Sequence, residues 1–438
     1  ALPIVRVAVE PTNPQQHPQL VRGLQLLNQA DPSVETRIQE SGELVIVASG
    51  EMHLERCLKD LRELFAKIEI HVSPPLVQFK ETLGPVPVGA APCAPVESST
   101  ANKLCSISIR AVKLPGKIRR YLIKAAEALR ASYAESVAGK GLSPVGLAAL
   151  EGLREQFQKC EGWENEWKRV WSLGPRHMGP NMLFCRIDGF RQTPDWFPAE
   201  LVHGSVESTA ESTEEMNSLR EIEGSIVSGF QLCALAGPLC EEPMEGVAMI
   251  IDAVKVTGTA AEILGSSETY GPWSGQVISA VKDGCRAAFL EGERRLVEAM
   301  FHCEVQTSAD MLGKAYAVLN RRRCAIVEER LKEGTDIFVV DSKLPVCESF
   351  GLVSDLRKQT SGAAQCHLVL AGWEMMTSDP FWEPSTEEEL EDFDESDVIN
   401  ARGAARRCMD LVRKRKGLPV EEKLVEHAEK QRTRSKRK

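Results

Sequence analysis

The hydrophobic positions at the start of the chain switch between two periods. Ile4 to Val9 alternates as a half-buried strand does. Pro18 is tolerated in a first helical turn, where no intrahelical N–H bond is lost. Leu20, Leu24 and Leu27 then share one helical face until Asp31-Pro32 stops it. Val34 to Ile38 and Leu44 to Val47 predict two strands joined by a turn at Ser41-Gly42. Leu54, Leu58, Leu61 and Phe65 predict a second helix, and Ile68 to Val72 a closing strand. This is the order of a ferredoxin-like split βαβ unit, here over residues 1–75.

Residues 296–377 repeat the order without repeating the sequence. Ala299 to Val305 predicts a strand, and Ser308 can cap a helix through Leu312, Tyr316 and Leu319. Strands follow at Ala325 to Glu328 and Asp336 to Leu344. A helix around Phe350 to Leu356 ends towards Ser361-Gly362, where glycine suits a C-cap, and Gln365 to Leu370 is the last strand.

The middle, 76–295, reads as a larger β-rich domain with insertions near 84–100 and 196–223. The first insertion is proline-rich from Gly84 to Pro95. In the second, Glu207 to Glu223 is rich in Ser, Thr and Glu and predicts a solvated loop. Helices are expected over Ile118 to Val137, after Ser143 and near Gln276, and a strand at Val247 to Val256. Trp163, Trp167 and Trp171 recur every four residues, which predicts a buried helix face. The expected class is therefore α+β multidomain, two ferredoxin-like units flanking a β-rich one, with a charged tail over 378–438. In that tail an acidic block, Glu383 to Asp397, precedes basic clusters at Arg406-Arg407, Arg413 to Lys416 and Arg432 to Lys438. Such blocks predict solvated or disordered segments, with interaction tails as the alternative.

Composition narrows the class. A length of 438 residues supports two to four domains, and 43% hydrophobic content is enough for packed cores. No window approaches the ~20 apolar residues of a membrane helix. No signal peptide opens the chain, and its start without Met predicts a fragment of a longer protein. Thirteen scattered cysteines without a CxxC predict a reducing compartment rather than disulfides or zinc. Cys303 beside His302 and Cys366 beside His367 sit on expected strands, where neighbours point to opposite faces, so no metal site is expected.

No catalytic constellation is present. Gly116-Lys117, Gly139-Lys140 and Gly313-Lys314 all lack the upstream glycine and following hydroxyl of a phosphate loop. His53 on its helix reads as an ordinary surface or core histidine, and Glu51 and Glu55 as part of a solvated face. Binding features are stronger. Arg321, Arg322 and Arg323 end one helix and Arg357 and Lys358 another; phosphate contact and complementing of the helix dipole both remain open readings. The same holds for phosphate contact at Arg413, Lys414, Arg415 and Lys416. Tyr270, Pro272, Trp273 and Gln276 lie in a Gly-rich loop at an expected domain tip, where aromatics stack on bases, anchor an interface or pack a hairpin.

Local sequence also carries a family resemblance. Ser41 to Leu44 with Gly50 to Glu55 resembles the third domain of elongation factor two. WSLGPRHMGPNML at Trp171 to Leu183 and SGFQLCALAGPLCEEPMEGV at Ser228 to Val247 resemble its fourth domain. Leu344 to Val346, Glu348 to Gly351 and Asp355 to Arg357 resemble its fifth, and Arg413 to Gly417 its basic C-terminal segment. In the translocating factor the fourth-domain tip carries a histidine modified to diphthamide. Here the loop is Gly271 to Gln276, and no histidine occurs between His203 and His302. The chain is thus more similar to the elongation factor-like GTPases of large ribosomal subunit maturation.

The resemblance implies the ribosome-binding part of a cytoplasmic GTPase. It would act with the Shwachman-Bodian-Diamond syndrome protein to release the anti-association initiation factor six from the pre-large subunit. GTP and magnesium would belong to an N-terminal part outside this chain, and no cofactor is expected within it. A translating paralogue of elongation factor two and an RNA-binding module without nucleotide coupling are the alternatives.

Overall fold

The computed structural model describes residues 5–38, 44–73, 75–85, 93–138, 143–187, 214–257, 270–381 and 403–420. The first unit follows the expected order: β1 (Val5–Pro11), α1 (His17–Ala30), β2 (Glu35–Ile38), β3 (Leu44–Ala48), α2 (Glu51–Asp60) and β4 (Ile70–Val72). Its antiparallel sheet runs β2-β3-β1-β4, with Val7 opposite Ile46. Leu20, Leu24 and Leu27 of α1 and Leu54 of α2 bury against Val5, Val7, Val9 and Ile46, the face that period-two alternation assigns to the core. The chain then crosses between sheets. The short β5 (Leu76–Val77) still pairs with β1, whereas β6 (Phe79–Leu83) joins the sheet of the last unit.

The middle unit is more helical than the sequence led us to expect. Its strands are β7 (Val96–Ser99), β8 (Cys105–Lys113), β9 (Val170–Gly174), β10 (Asn181–Cys185) and β11 (Val247–Val256), in the order β7-β8-β11-β10-β9, with β10 parallel to β11. Helices cover both faces: α3 (Gly116–Lys124), α4 (Ala126–Val137) and α5 (Pro144–Gln158) on one, α6 (Glu214–Leu235) and α7 (Trp273–Glu291) on the other. Alternate residues of one strand serve the two cores. Ala248 and Ile250 face Leu150, Phe157 and Trp167; Met249 and Ile251 face Phe230, Val277 and Val281.

Three local expectations change. The stretch read as a loop to Glu223 is helical from Glu214, because Leu219, Ile222, Ile226 and Phe230 supply a buried stripe beneath its polar residues. Trp163, Trp167 and Trp171 do not share a helix; they fall in a turn, a 3-10 turn and β9. Val96–Ser99, at the edge of the proline-rich insertion, pairs as β7, while 86–92 and 188–213 lie outside the described residues.

The last unit comprises β12 (Arg294–Ser308), α8 (Leu312–Arg321), β13 (Ala325–Leu331), β14 (Ile337–Pro345), α9 (Leu352–Gln359) and β15 (Gln365–Met375). Its order, β13-β14-β12-β15, is again that of a split βαβ unit, with β6 added beside the N-terminal half of β12. Ser308 precedes a 3-10 turn without a side-chain cap bond, while α9 ends at a Thr360 C-cap followed by Ser361 at φ 53° and Gly362 at φ 84°, so the first left-handed residue is the serine. The tail is not wholly solvated either. Ala404–Arg415 forms α10, which buries Ala404, Ala405, Met409 and Val412. The acidic block lies within 382–402, outside the described residues. All thirteen cysteines are free thiols, most of them buried. Among the described residues no helix is long and apolar enough to cross a membrane.

Candidate functional site

The three arginines at the end of α8 have different fates. Arg321 is exposed. Arg322 turns inward and donates to the carbonyls of Glu348 and Phe350, both at 2.6 Å, and pairs with Asp355, whose carboxyl it holds below the ordinary range. Arg323, in the left-handed region at φ 54°, pairs with the largely buried Glu298 at 3.1 Å and with Glu348 at 3.5 Å. Burial alone would lower its pKa, but Glu298 raises it on balance. Arg322 and Arg323 therefore clamp the end of α8 to the turn before α9, and Arg321, Arg357 and Lys358 form the outward cationic set. The consequence is measurable in urea. Arg323→Ala is expected to cost about 3 kcal/mol by stranding Glu298, and Arg321→Ala less than about 0.5 kcal/mol.

The basic run at the end of α10 also turns inward. Lys416 Nζ lies 2.8 Å from the carboxylate of Glu242, which is 1% exposed, and donates to the carbonyls of Cys240 and Glu241 at 2.9 and 2.8 Å. Arg413 donates to the Leu239 carbonyl at 2.7 Å, and Arg415 bonds the Ser73 hydroxyl of the first unit. Lys414 is exposed on the same turn and is also engaged.

These bonds converge on the 236–246 segment between α6 and β11. The Glu81 carboxylate of β6 accepts the backbone N–H groups of Leu239, Cys240 and Glu242 at 2.8 to 3.1 Å. A Cβ at Gly237 would sit 2.2 Å from a Glu81 oxygen, so only glycine permits this approach. Glu242 also faces Arg6 of β1 at 3.6 Å, and the buried Glu245 pairs with Lys80 at 2.5 Å and Arg119 at 3.2 Å. One loop thus touches the first unit, the inter-sheet strand β6 and the C-terminal helix. Sequence reasoning missed it; three glutamates in so apolar a stretch were the available signal.

At the tip, Tyr270 is 53% exposed, but Trp273 opens α7 and is partly packed against the core. Gln276, expected as a contact residue, is buried. Its Nε2 donates to the Gly271 carbonyl at 2.9 Å and pins a turn whose φ of 81° suits glycine.

His53, read as an ordinary histidine, is tied at both ring nitrogens. Nε2 lies 2.8 Å from Asp31, and Nδ1 accepts the Ser49 N–H at 3.2 Å. Ser33 and His53 hold the Asp31 carboxyl down at about 2. Cys57 lies close enough for these three to resemble a metal-ligand set. A cation on Nε2 would force the proton onto Nδ1, against the Ser49 N–H, so the geometry favours a brace at the start of α2. Glu51, read as solvated, accepts the Gly351 N–H at 3.0 to 3.1 Å and ties the first unit to the last.

Residues 1–74 match elongation factor G domain III, and 295–383 match the elongation factor G C-terminus. Over the whole chain the sequence is 38% identical to "Elongation factor-like GTPase 1" of Mus musculus, covering 46% of that protein. It is 38% identical to the Homo sapiens protein of the same name, again over all of the chain and 45% of the relative. Over 98% of the chain it is 37% identical to "Ribosome assembly protein 1" of Saccharomyces cerevisiae, covering 39% of it. The chain is similar over its whole length to elongation factor-like GTPases. It matches their C-terminal domains and spans less than half the length of these relatives.

A phosphate loop would set its Gly-Lys pair in a backbone cradle at the start of a helix. Lys117 donates to the Lys159 carbonyl at 3.3 Å, and Gly313-Lys314 lies inside α8. Gly139-Lys140 lies outside the described residues.

Proposed function

We propose that this chain is the ribosome-binding portion of a GTPase acting in cytoplasmic large-subunit assembly. The whole protein would release the anti-association initiation factor six from the pre-large subunit, in concert with the Shwachman-Bodian-Diamond syndrome protein. GTP and magnesium would be held by parts of that protein outside this sequence. The observation that carries this reading is the match over essentially the whole chain to relatives named for ribosome assembly. The tip supports it, since the loop has Pro272 and Trp273 and no histidine for the translocase's modification. The same observation weighs against a translating paralogue.

Arg321, Arg357 and Lys358 are the cations proposed to meet rRNA phosphate, because Arg322, Arg323, Arg413, Arg415 and Lys416 are engaged within the fold. The test is binding of the full-length protein to purified pre-large subunits across a salt series, with GTP-dependent release of the bound factor as second readout. Arg321→Glu with Arg357→Glu should lower the salt slope by about one per lost phosphate contact. An unchanged slope removes these residues from the interface. Support of tRNA translocation in a purified translation system would replace the assembly reading with the paralogue.

A further inference from the structure

A cleft at the tip of the middle unit runs along one face of α7 beneath the β7–β8 turn and encloses about 450 Å³. Its floor is made of small residues, Gly275, Ser279 and Ala280 of α7 facing Ser98 and Ser99. Tyr270 stands at one end and Asp283 at the other. Gly275 and Asp283 are eight residues apart on the helix, or about 12 Å. The floor is therefore long and shallow enough for an extended main chain, whose reach is about 3.3 Å per residue.

The charge of the lining is one-sided. Among the described residues the lining has no lysine or arginine, and Asp283 is an exposed acidic side chain. Gln276, 6% exposed, spends its Nε2 on the Gly271 carbonyl and leaves its Oε1 without a partner, so its unused capacity is that of an acceptor. The start of α7 opposes this with roughly half a positive charge, at the Tyr270 end. That is smaller than the Asp283 charge and lies at the far end of the cleft. A polyanion would have to place phosphates beside Asp283, and among the described lining residues no cation is there to receive them. A cationic side chain meets the opposite situation, and a guanidinium can engage a carboxylate through two parallel bonds.

We propose that this cleft receives an extended segment of a protein partner, with a basic side chain, arginine above lysine, on Asp283. The segment's main chain lies over the small-residue floor. Its carbonyl oxygens meet the first turn of α7, and Tyr270 covers that end. This rests on the reading of the tip as a partner-contacting surface and adds what the partner must present there.

The test uses the 438-residue chain and three probes: acetyl-Gly-Arg-Gly-amide, acetyl-Gly-Glu-Gly-amide and inorganic phosphate. The amide resonances of Gly275, Ser279 and Asp283 are followed during titration. The arginine peptide should shift them saturably, and Asp283→Asn, at an exposed position that leaves the fold intact, should weaken its binding about tenfold, or about 1.4 kcal/mol. Shifts driven by phosphate or by the glutamate peptide overturn the assignment, as do no response to the arginine peptide and an Asp283→Asn affinity equal to wild type. Binding to large subunits is measured separately. Its loss with peptide binding intact would remove the ribosome reading and leave the cleft's specificity standing.

Discussion

Lys416→Glu is expected to loosen the C-terminal helix from the rest of the molecule, at a cost of about 3–5 kcal/mol, the usual scale for breaking a buried ion pair. Glu242 is 1% exposed and lies 2.8 Å from the Lys416 ammonium, and Arg6, at 3.6 Å, is the second cation among the described residues. A glutamate at 416 would place a second negative charge beside a carboxylate buried away from solvent. It would also leave the Cys240 and Glu241 carbonyls without their donor. The apolar contacts of Met409 and Val412 cannot hold α10 alone, because the helix has only 12 residues and an isolated helix of that length is marginal in water. Lys416→Ala should cost less, since Arg6 still faces Glu242. The measurement is a urea series with trypsin digestion. A lower first transition and early cleavage at Arg413 to Arg415 are expected for the glutamate variant, and wild-type behaviour in both would show that the clamp contributes nothing.

The two split βαβ units were legible because their strands and helices have clean periods: Leu20, Leu24 and Leu27 on one side of a helix, and alternation along β1 and β12. Periodicity reports which face is buried and is blind to what buries it. In β10 both faces are covered, so its residues formed a plain apolar run, and the flanking helices were undercounted. The start of α6 was hidden by Ser, Thr and Glu residues that any solvated helix face also carries. The basic run at Arg413 to Lys416 looked like a nucleic-acid tail because sequence shows the charge but not the buried Glu242 that receives it. Arg322 and Arg323 were hidden in the same way, their acceptors lying on β12 and at the turn before α9. Long-range ion pairs and side-chain-to-backbone bonds leave no local pattern, and both tie the units together.

The joint at Glu81 should respond most strongly to substitution, and its response should depend on pH. Glu81→Ala removes the acceptor for three buried N–H groups, those of Leu239, Cys240 and Glu242. At roughly 1–3 kcal/mol for each unsatisfied group, a loss of about 3–9 kcal/mol is expected. Burial raises the Glu81 pKa from 4.5 to about 7, against the pull of those same N–H groups. The folded state thus holds its proton over a range where the unfolded chain has released it. The stability linked to that proton is fully present below about pH 4.5 and is lost as pH rises through about 7. That amounts to about 3 kcal/mol at 1.36 kcal/mol per unit. The alanine variant has no such proton to lose. Its deficit relative to wild type should therefore be largest near pH 5 and shrink by about 3 kcal/mol towards pH 8, as wild type comes to bear the cost of a buried charge. Glu81→Gln keeps one acceptor oxygen, so it should fall between the two and show no comparable pH slope of its own. Urea midpoints of the three proteins at pH 5, 6.5 and 8 decide the matter. A deficit that stays constant across this range would mean that the three N–H bonds outweigh burial and that Glu81 is ionised throughout.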